Sequence, residues 1–578
     1  MPEFDNAAVA SMLDTMGDLL EVSGADKFRF LSYHKAANSI RAYPEPLSAL
    51  AAEGRLTDVP GIGVKLAASI AEIFDRGTFP EFEQVKSEFA PGIIRVMEVP
   101  GVGPKRARLL YDELQVTSVE DLEEALAAGR LEGLPGFGAK TIENVAAGIE
   151  RAKAHHERIL LMDALPLAER MAEELRRLPG VVHAEPAGSI RRMQETIGDI
   201  DILVAAEDPS AVMEQVRSLP MVVRVLGSGG TKTSVLAASG LQVDVRAVSP
   251  ETWGAALQYF TGNKDHNVRV REVAKRAGLK VSEYGVFRVE TGERIAGATE
   301  EEVYAALGMA TPPPEYRLGS SEVVEALEHR LPRLVELGDI RGELHAHTTS
   351  TDSRSSVEEN REKAARLGYE YVAVTDHAYE LRMVRGLSVE QLEEQWALID
   401  AVNGDGCAPR VLKGIELNIA DDGSVDYAPE VLARFDICLA SIHAGMRQPR
   451  KQLTDRLLRA MENPYVDVIS HLTGRILGRR DPMDLDLDAL FAKAAESGTI
   501  LEINSYPDRL DLTDAHIRAA SRLGVRFCLG TDAHSSAHMD FMSYGVAIAR
   551  RAGLTPDDLL NCQPLDGVPG WLKRSRIA

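Results

Sequence analysis

Asp199 and Asp201 stand one residue apart in the stretch GSIRRMQETIGDIDILV, residues 188–204. Side chains alternate along a strand, so the two carboxylates share one face while Ile200 and Ile202 share the other. Like charges at neighbouring same-face positions repel. Either this is the solvated face of an amphipathic strand, or the pair holds a hard divalent cation, which takes oxygen ligands and turns repulsion into attraction. Two features favour the cation. Asp244 is centred in a second period-two run, 241–248, and completes a set of three carboxylates if the two strands pair. Gly188 and Ser189 lie at a strand-to-helix turn about ten residues upstream and are followed by Arg191 and Arg192, which together supply amides, a hydroxyl and cations for a polyphosphate.

A second constellation occupies the C-terminal half. Seven short apolar runs end in polar residues: GELHAH (342–347), YVAVTDH (371–377), LKGIE (412–416), CLASIH (438–443), VDVISH (466–471), ILEIN (500–504) and FCLGTDAH (527–534). They recur about every 30 residues with helical patterns between them, as in a β/α barrel, which keeps its site at the C-terminal ends of its strands. One histidine at such an end is usually a satisfied structural group. The repeated set, with His-x-His and Asp-x-His placing two ligands on one face, points to Zn²⁺ or Mn²⁺ instead.

A third pattern recurs near the N-terminus as VPGIGVK (59–65), VPGVGPK (99–105) and LPGFGAK (134–140), each followed by a helical run. The bland reading is three glycine turns joining helices. Gly61 and Gly63, Gly101 and Gly103, and Gly136 and Gly138 would also let backbone approach a ligand, with helix N-terminal amides facing a phosphate and Lys65, Lys105 or Lys140 adding charge. Three copies in one register favour the phosphate seat.

The elements that position these groups must come from several domains, because 578 residues suggest three to five units. No run of about 18 apolar residues and no leader pattern is seen, which predicts a cytoplasmic protein with no membrane partner. Cys407, Cys438, Cys528 and Cys562 show no paired ligand spacing and are expected to be reduced. The net charge of −23 argues against indiscriminate binding to nucleic acid, although bound cations and neutral backbone amides offset such acidity at specific sites.

The three repeats resemble helix-hairpin-helix motifs, which hold DNA backbone without reading its sequence. With Gly188-Ser189, Gly198-Asp199-x-Asp201, Asp244 and Tyr259-Phe260-Thr261-Gly262 in the same order, residues from about 10 to 310 resemble the family X (DNA polymerase beta-like) DNA polymerases of the nucleotidyltransferase superfamily; Asn267, Arg271 and Tyr284 fall at that family's downstream spacing. The resemblance implies gap filling with dNTPs on gapped or primer-template DNA. Asp199, Asp201 and Asp244 would hold two Mg²⁺ or Mn²⁺ ions. Ser189, Arg192 and the backbone at Gly188 and Gly198 would meet the triphosphate, Tyr259, Phe260 and Gly262 would lie under the sugar, Asn267 and Arg271 would face the nucleotide, and Lys232 and Lys264 would add charge. Two departures stand out. Ser69 occupies the position of the family's lyase lysine and cannot form a Schiff base, and Gln242 stands where an arginine is often kept beside the metal acids.

Residues from about 335 to 575 resemble a PHP (polymerase and histidinol phosphatase) domain. The resemblance matches ligands at His345, His347, Asp352, His377, Glu416, His443, His471, Asp532 and His534, enough for up to three Mn²⁺ or Zn²⁺ ions, and implies phosphoester hydrolysis as a 3′-5′ exonuclease, a 3′-phosphatase or an abasic-site endonuclease, which the sequence does not rank. Arg475, Arg479 and Arg480 would grip substrate phosphates or form a solvated basic face. An inert, structural PHP domain and a small-molecule phosphatase are the competing readings.

The expected architecture is multidomain. An all-α part comprises 1–88, with the first hairpin, and 89–155, with the others; an α/β palm spans 156–248 and an α+β thumb 249–318; a linker, 319–334, follows the TPPP segment; and a distorted (β/α)7 barrel covers 335–578. A monomer is expected.

Overall fold

The computed structural model describes residues 6–576 apart from 42, 44–46, 88, 90–92, 100–101, 157, 238–240 and 380–385. The chain forms two compact units. One comprises Met1–Ile159, Asp163–Ile190 and Thr196–Trp253, the other Leu160–Met162, Arg191–Glu195 and Gly254–Ala578.

The first unit opens with helices, and each glycine repeat leads into one: Val64–Arg76, Pro104–Leu114 and Ala139–His156. The apolar residue between the glycines explains how the hairpins are oriented. Ile62, Val102 and Phe137 are all buried in one core with Leu13, Met16 and Leu110, while Gly61, Gly63, Gly103, Gly136 and Gly138 are exposed. The palm follows as a five-stranded sheet of β1 (Val181–Pro186), β2 (Ile200–Ala206), β3 (Val222–Ser228), β4 (Lys232–Ala237) and β5 (Gln242–Val248), in the order β1-β2-β5-β4-β3. Strands β2 and β5 are parallel, and their register sets Asp201 directly opposite Asp244. The β3–β4 pair went unrecognised in the sequence because β3 is exposed along almost its whole length and shows no alternation.

In the second unit, helix Lys264–Arg276 and a small antiparallel sheet, β6 (Leu279–Ser282), β7 (Gly285–Arg288) and β8 (Arg294–Ala296), build the thumb around Val270, Ala274, Val286 and Tyr304. The segment 319–334 is not a free linker. Helix Glu322–Leu327 lies within it, and Val323 and Ala326 join the thumb core. Glu322 is fully buried, accepts from the amides of Gly319 (2.7 Å) and Ser320 (2.6 Å), and faces His266 Nδ1 at 2.9 Å. This pairing satisfies a buried carboxylate and anchors the segment.

Seven parallel strands then run in sequential order: β9 (Gly342–Ala346), β10 (Tyr371–Val374), β11 (Arg410–Asn418), β12 (Ile437–Ser441), β13 (Val468–Ile469), β14 (Ile500–Asn504) and β15 (Phe527–Gly530). They are buried on both faces. Tyr371 and Ala373 join one apolar cluster while Val372 and Val374 join another, and Cys528 is split in the same way from Phe527 and Leu529. That alternation fits a barrel wall between an inner and an outer layer. Closure is made by backbone bonds from the His347 amide to the Ala533 carbonyl (2.9 Å) and from the Ala533 amide to the His345 carbonyl (3.1 Å). Helices such as Val357–Arg366, started by a Ser356–Glu359 capping box, fill the intervals between strands.

Candidate functional site

The palm acids lie at the ends of β2 and β5 nearest their N-termini. Asp199 is exposed just before β2, Asp201 is half-buried in it, and Asp244 is 9% exposed. Burial, reinforced by the charges of Asp199 and Asp244, pushes the Asp201 carboxyl up to about 6. Burial would also raise Asp244, but Lys232, Ser234 and Gln242 hydrogen-bond to it and hold it below its ordinary range. Lys232 Nζ stands 2.6 Å from Asp244 Oδ2, and Gln242 Nε2 donates to Oδ1 at 3.1 Å. The glutamine thus positions Asp244 where an arginine was the expected neighbour. Gly188 is indispensable here. Its φ is +58°, and a Cβ would come within 2.8 Å of Asp201 Oδ2. Asp201 opposite Asp244 across the paired strands, with Asp199 just before β2, supplies carboxylate oxygens of the kind hard divalent cations take.

The other expected nucleotide contacts divide between the two units. Ser189, in the four-residue helix Gly188–Arg191, belongs to the first unit, and Gly198 is exposed in it. In the second unit, Arg192 donates through Nη1 to the Thr261 carbonyl, Arg191 donates to Thr261 Oγ1 (2.8 Å) and Glu300 (2.6 Å), and Glu300 also takes Arg317 at 2.5 Å. Tyr259 and Phe260 meet edge-on at 5.2 Å, beside Gly262 with φ +67°. Asn267 is committed within the thumb, accepting from Gln258 (2.8 Å) and donating to the Tyr259 carbonyl (2.8 Å). Lys264, Arg271 and Tyr284 are exposed.

At the hairpins, Gly61 (φ +82°) and Gly136 (φ +85°) make turns that other residues resist. At Gly63, Gly103 and Gly138 a Cβ would meet nothing within 4 Å, so the fold itself does not demand glycine there. Lys65, Lys105 and Lys140 are exposed, with Lys65 paired to Glu81 at 3.1 Å. Gly101 lies outside the described residues. Ser69 is buried, its hydroxyl on the Lys65 carbonyl at 3.3 Å.

The barrel gathers its expected ligands at the C-terminal ends of the strands. Three groups place ligand atoms within 4.8 Å of one another: His347, Asp352, His377 and His534; His345, His347 and Asp532; and His377, Glu416 and His443. His471 joins through Glu416 Oε1, 2.9 Å from its Nε2. Among the described residues the palm acids form no such group, Lys232 standing at Asp244 instead. The fit to metal is carried by buried ligand atoms: His345 Nε2, His347 Nδ1 and His471 Nδ1 have no hydrogen-bond partner, and His377 Nδ1 faces Glu416 Oε2 at 3.0 Å without hydrogen-bond alignment. Buried polar atoms are rarely left so, and imidazole with carboxylate is the donor set of Zn²⁺ and Mn²⁺. Burial, with His534 and His377 nearby, brings His347 down to about 4, which keeps its ring neutral and able to ligate. Asp352 is held well below the carboxylate range, burial being outweighed by His377 and His534. His471 (φ +27°) and Asp532 (φ +52°) adopt backbone conformations that non-glycine residues rarely take, a strain typical of functional positions.

Several neighbours were not foreseen. Glu502, at the end of one of the seven runs, was recognisable by position; its Oε1 lies 2.5 Å from His345 Nδ1 and its Oε2 accepts from the His471 amide at 2.7 Å. Arg509 has no periodic signal, yet its Nε lies 3.3 Å from Asp532 Oδ2. Of the three arginines read as either a phosphate grip or a solvated basic face, Arg475 is neither. It is 9% exposed and donates to the Arg509 carbonyl (2.9 Å), the Leu510 carbonyl and Glu195 (2.9 Å). Arg480 donates to the Gly474 carbonyl at 2.7 Å.

Comparison with known proteins follows this division. Residues 4–79 match a helix-hairpin-helix domain, 93–151 a SAM-like helix-hairpin-helix tandem, 256–318 the DNA polymerase beta thumb and 343–506 the PHP domain. The chain is 37% identical over 569 residues to the DNA polymerase/3'-5' exonuclease PolX of Bacillus subtilis (strain 168), which covers 98% of this chain and 99% of that one. It is 24% identical over 333 residues to DNA polymerase lambda of Rattus norvegicus, 53% of this chain and 55% of that one. A shorter match, 28% over 228 residues, pairs 38% of this chain with 88% of a probable phosphatase of Thermoanaerobacter sp. (strain X514). Among the described residues, no helix is long and apolar enough to cross a membrane.

Proposed function

The chain belongs to the family of the bacterial DNA polymerase/3'-5' exonuclease PolX, and from that premise we propose that it fills short gaps during DNA repair at one centre and trims 3′ ends at a second. One observation carries the reading. The similarity runs nearly the whole length, so the three palm acids and the nine barrel ligands lie inside one match.

At the palm, Asp199, Asp201 and Asp244 would hold Mg²⁺ or Mn²⁺, which would supply charge neutralisation to the triphosphate and acidify the primer 3′-hydroxyl. The chain's own part is alignment. Phosphoryl transfer needs positioning and charge more than covalent chemistry. Gly188 brings the turn against Asp201, Gln242 orients Asp244, and Ser189 presents a hydroxyl to the phosphates. The exposed glycines of the hairpins hold the DNA backbone. At the barrel, the nine ligands would bind Mn²⁺ or Zn²⁺, and Arg509 offsets charge on the scissile phosphate. An inert barrel would have no use for buried imidazole nitrogens left without a hydrogen-bond partner, as at His345, His347 and His471. The enzyme acts on gapped or primer-template DNA and dNTPs as a cytoplasmic monomer.

A 5′-labelled primer on gapped DNA tests this. With dNTPs and Mg²⁺ or Mn²⁺ the primer lengthens to the gap's end, and without dNTPs in Mn²⁺ it shortens; a primer unchanged under both conditions contradicts the proposal.

A further inference from the structure

A cleft of about 950 Å³ has one of the nine candidate metal ligands, His443, in its wall. Its volume suits a nucleoside. Much of its lining is apolar or aromatic, including Tyr379, Val389, Ile419, Val425 and Tyr427. Tyr379 follows the ligand His377 by two residues and is 62% exposed. Its amide donates to the Tyr427 hydroxyl (3.3 Å), which in turn donates to the Leu387 carbonyl (2.5 Å), and this chain of bonds ties its backbone to the cleft wall. An exposed aromatic ring is thus held on an anchored backbone beside a metal ligand.

The charges around the cleft limit what it takes. Glu390, Asp421 and Asp426 contribute carboxylates, and the arginine in the lining, Arg456, is 2% exposed and occupied with the carbonyls of Ile419, Ala420 and Ala444 and with Gln448. A phosphate would find repulsion there and no available guanidinium. A neutral, flat ring bearing amino donors suits both the apolar wall and the acids. Arg509, on Asp532, is the cation beside the centre itself.

We propose that this cleft is a nucleobase subsite, in which the base of the 3′-terminal nucleotide stacks on Tyr379 while its phosphodiester lies at the metal centre. The inference rests on the nuclease reading above and adds its specificity: ends that carry a base are held more tightly than ends that lack one.

The test compares two single strands in Mn²⁺, identical except that one ends in an ordinary nucleotide and the other in a 3′-terminal tetrahydrofuran abasic unit. Tyr379→Ala should raise KM about tenfold on the base-ended strand, the usual scale of one stacked base, and leave the abasic-ended strand unchanged. Tyr379→Phe, which keeps the stacking face, should match wild type on both. Val389→Trp, which fills the cleft, should reproduce the alanine pattern. An alanine variant that equals wild type on the base-ended strand, or loses equally on both, overturns the subsite while leaving the nuclease intact. A wild type that shortens neither strand overturns both.

Discussion

Lys232 places its ammonium 2.6 Å from Asp244, so a side chain neutralises one palm carboxylate where a divalent cation would do the same. The lysine and a metal ion compete for that oxygen. In a His345→Ala/His347→Ala background, which removes barrel ligands, Lys232→Met should tighten Mn²⁺ binding without nucleotide about fivefold, the upper range for a partly exposed ion pair. Electron paramagnetic resonance titration of free Mn²⁺ checks this, and unchanged or weaker binding contradicts it.

Glu502 fixes the ring of His345 through a 2.5 Å contact to Nδ1, leaving Nε2 to face Asp532 and Glu416. Such supporting carboxylates typically sustain ten- to hundredfold in metal affinity or activity, so Glu502→Gln should lower Mn²⁺ affinity of the barrel by about that factor. Primer extension by the same protein should be unaffected.

Arg509 and Arg475 are expected to separate cleanly. Arg509→Ala removes the cation beside Asp532 and should lower kcat for 3′-end degradation about a hundredfold with the fold intact. Arg475→Ala leaves two carbonyls without their donor and Glu195 with Arg551 alone (3.3 Å), and should cost about 2 kcal/mol of stability, read by chemical denaturation.

His266 gives the thumb a pH dependence. Its Nδ1 lies 2.9 Å from Glu322 and its Nε2 2.8 Å from the Tyr304 hydroxyl, an arrangement that suits the neutral ring donating to the carboxylate and accepting from the phenol. Burial holds its pKa below the ordinary 6.5, partly offset by the hydrogen bond to Glu322. The unfolded chain therefore binds the proton more readily, and this stability is present above pH 6.5 and lost as pH falls below it. Glu322, also depressed by its hydrogen bonds despite burial, adds a loss at lower pH. The unfolding midpoint should fall between pH 7 and 5.5, and His266→Gln should flatten that part of the curve.

The sequence made legible whatever depends on local spacing. The period-two placement of Asp199 and Asp201, the repeated hairpin glycines and the strand-end ligands all follow from strand alternation and tight turns, and the structure brings the barrel ligands together. Contacts made by residues far apart in the chain were not legible. Arg475 reads as a basic residue after a ligand, but its partner Glu195 lies 280 residues away. The segment 319–334 reads as a linker because what ties it to the thumb, Glu322 against His266 and Val323 and Ala326 in the thumb core, is contact with residues distant in the chain. Lys232 sits in a strand whose partner is too exposed to alternate, so its closeness to Asp244 had no signal in the sequence.

The most direct test of two separate centres is a reciprocal comparison on one labelled gapped DNA, scoring extension with dNTPs and shortening without them. Asp199→Ala/Asp201→Ala should abolish extension and keep shortening, and His443→Ala should do the reverse. Loss of both activities in either variant would contradict the account.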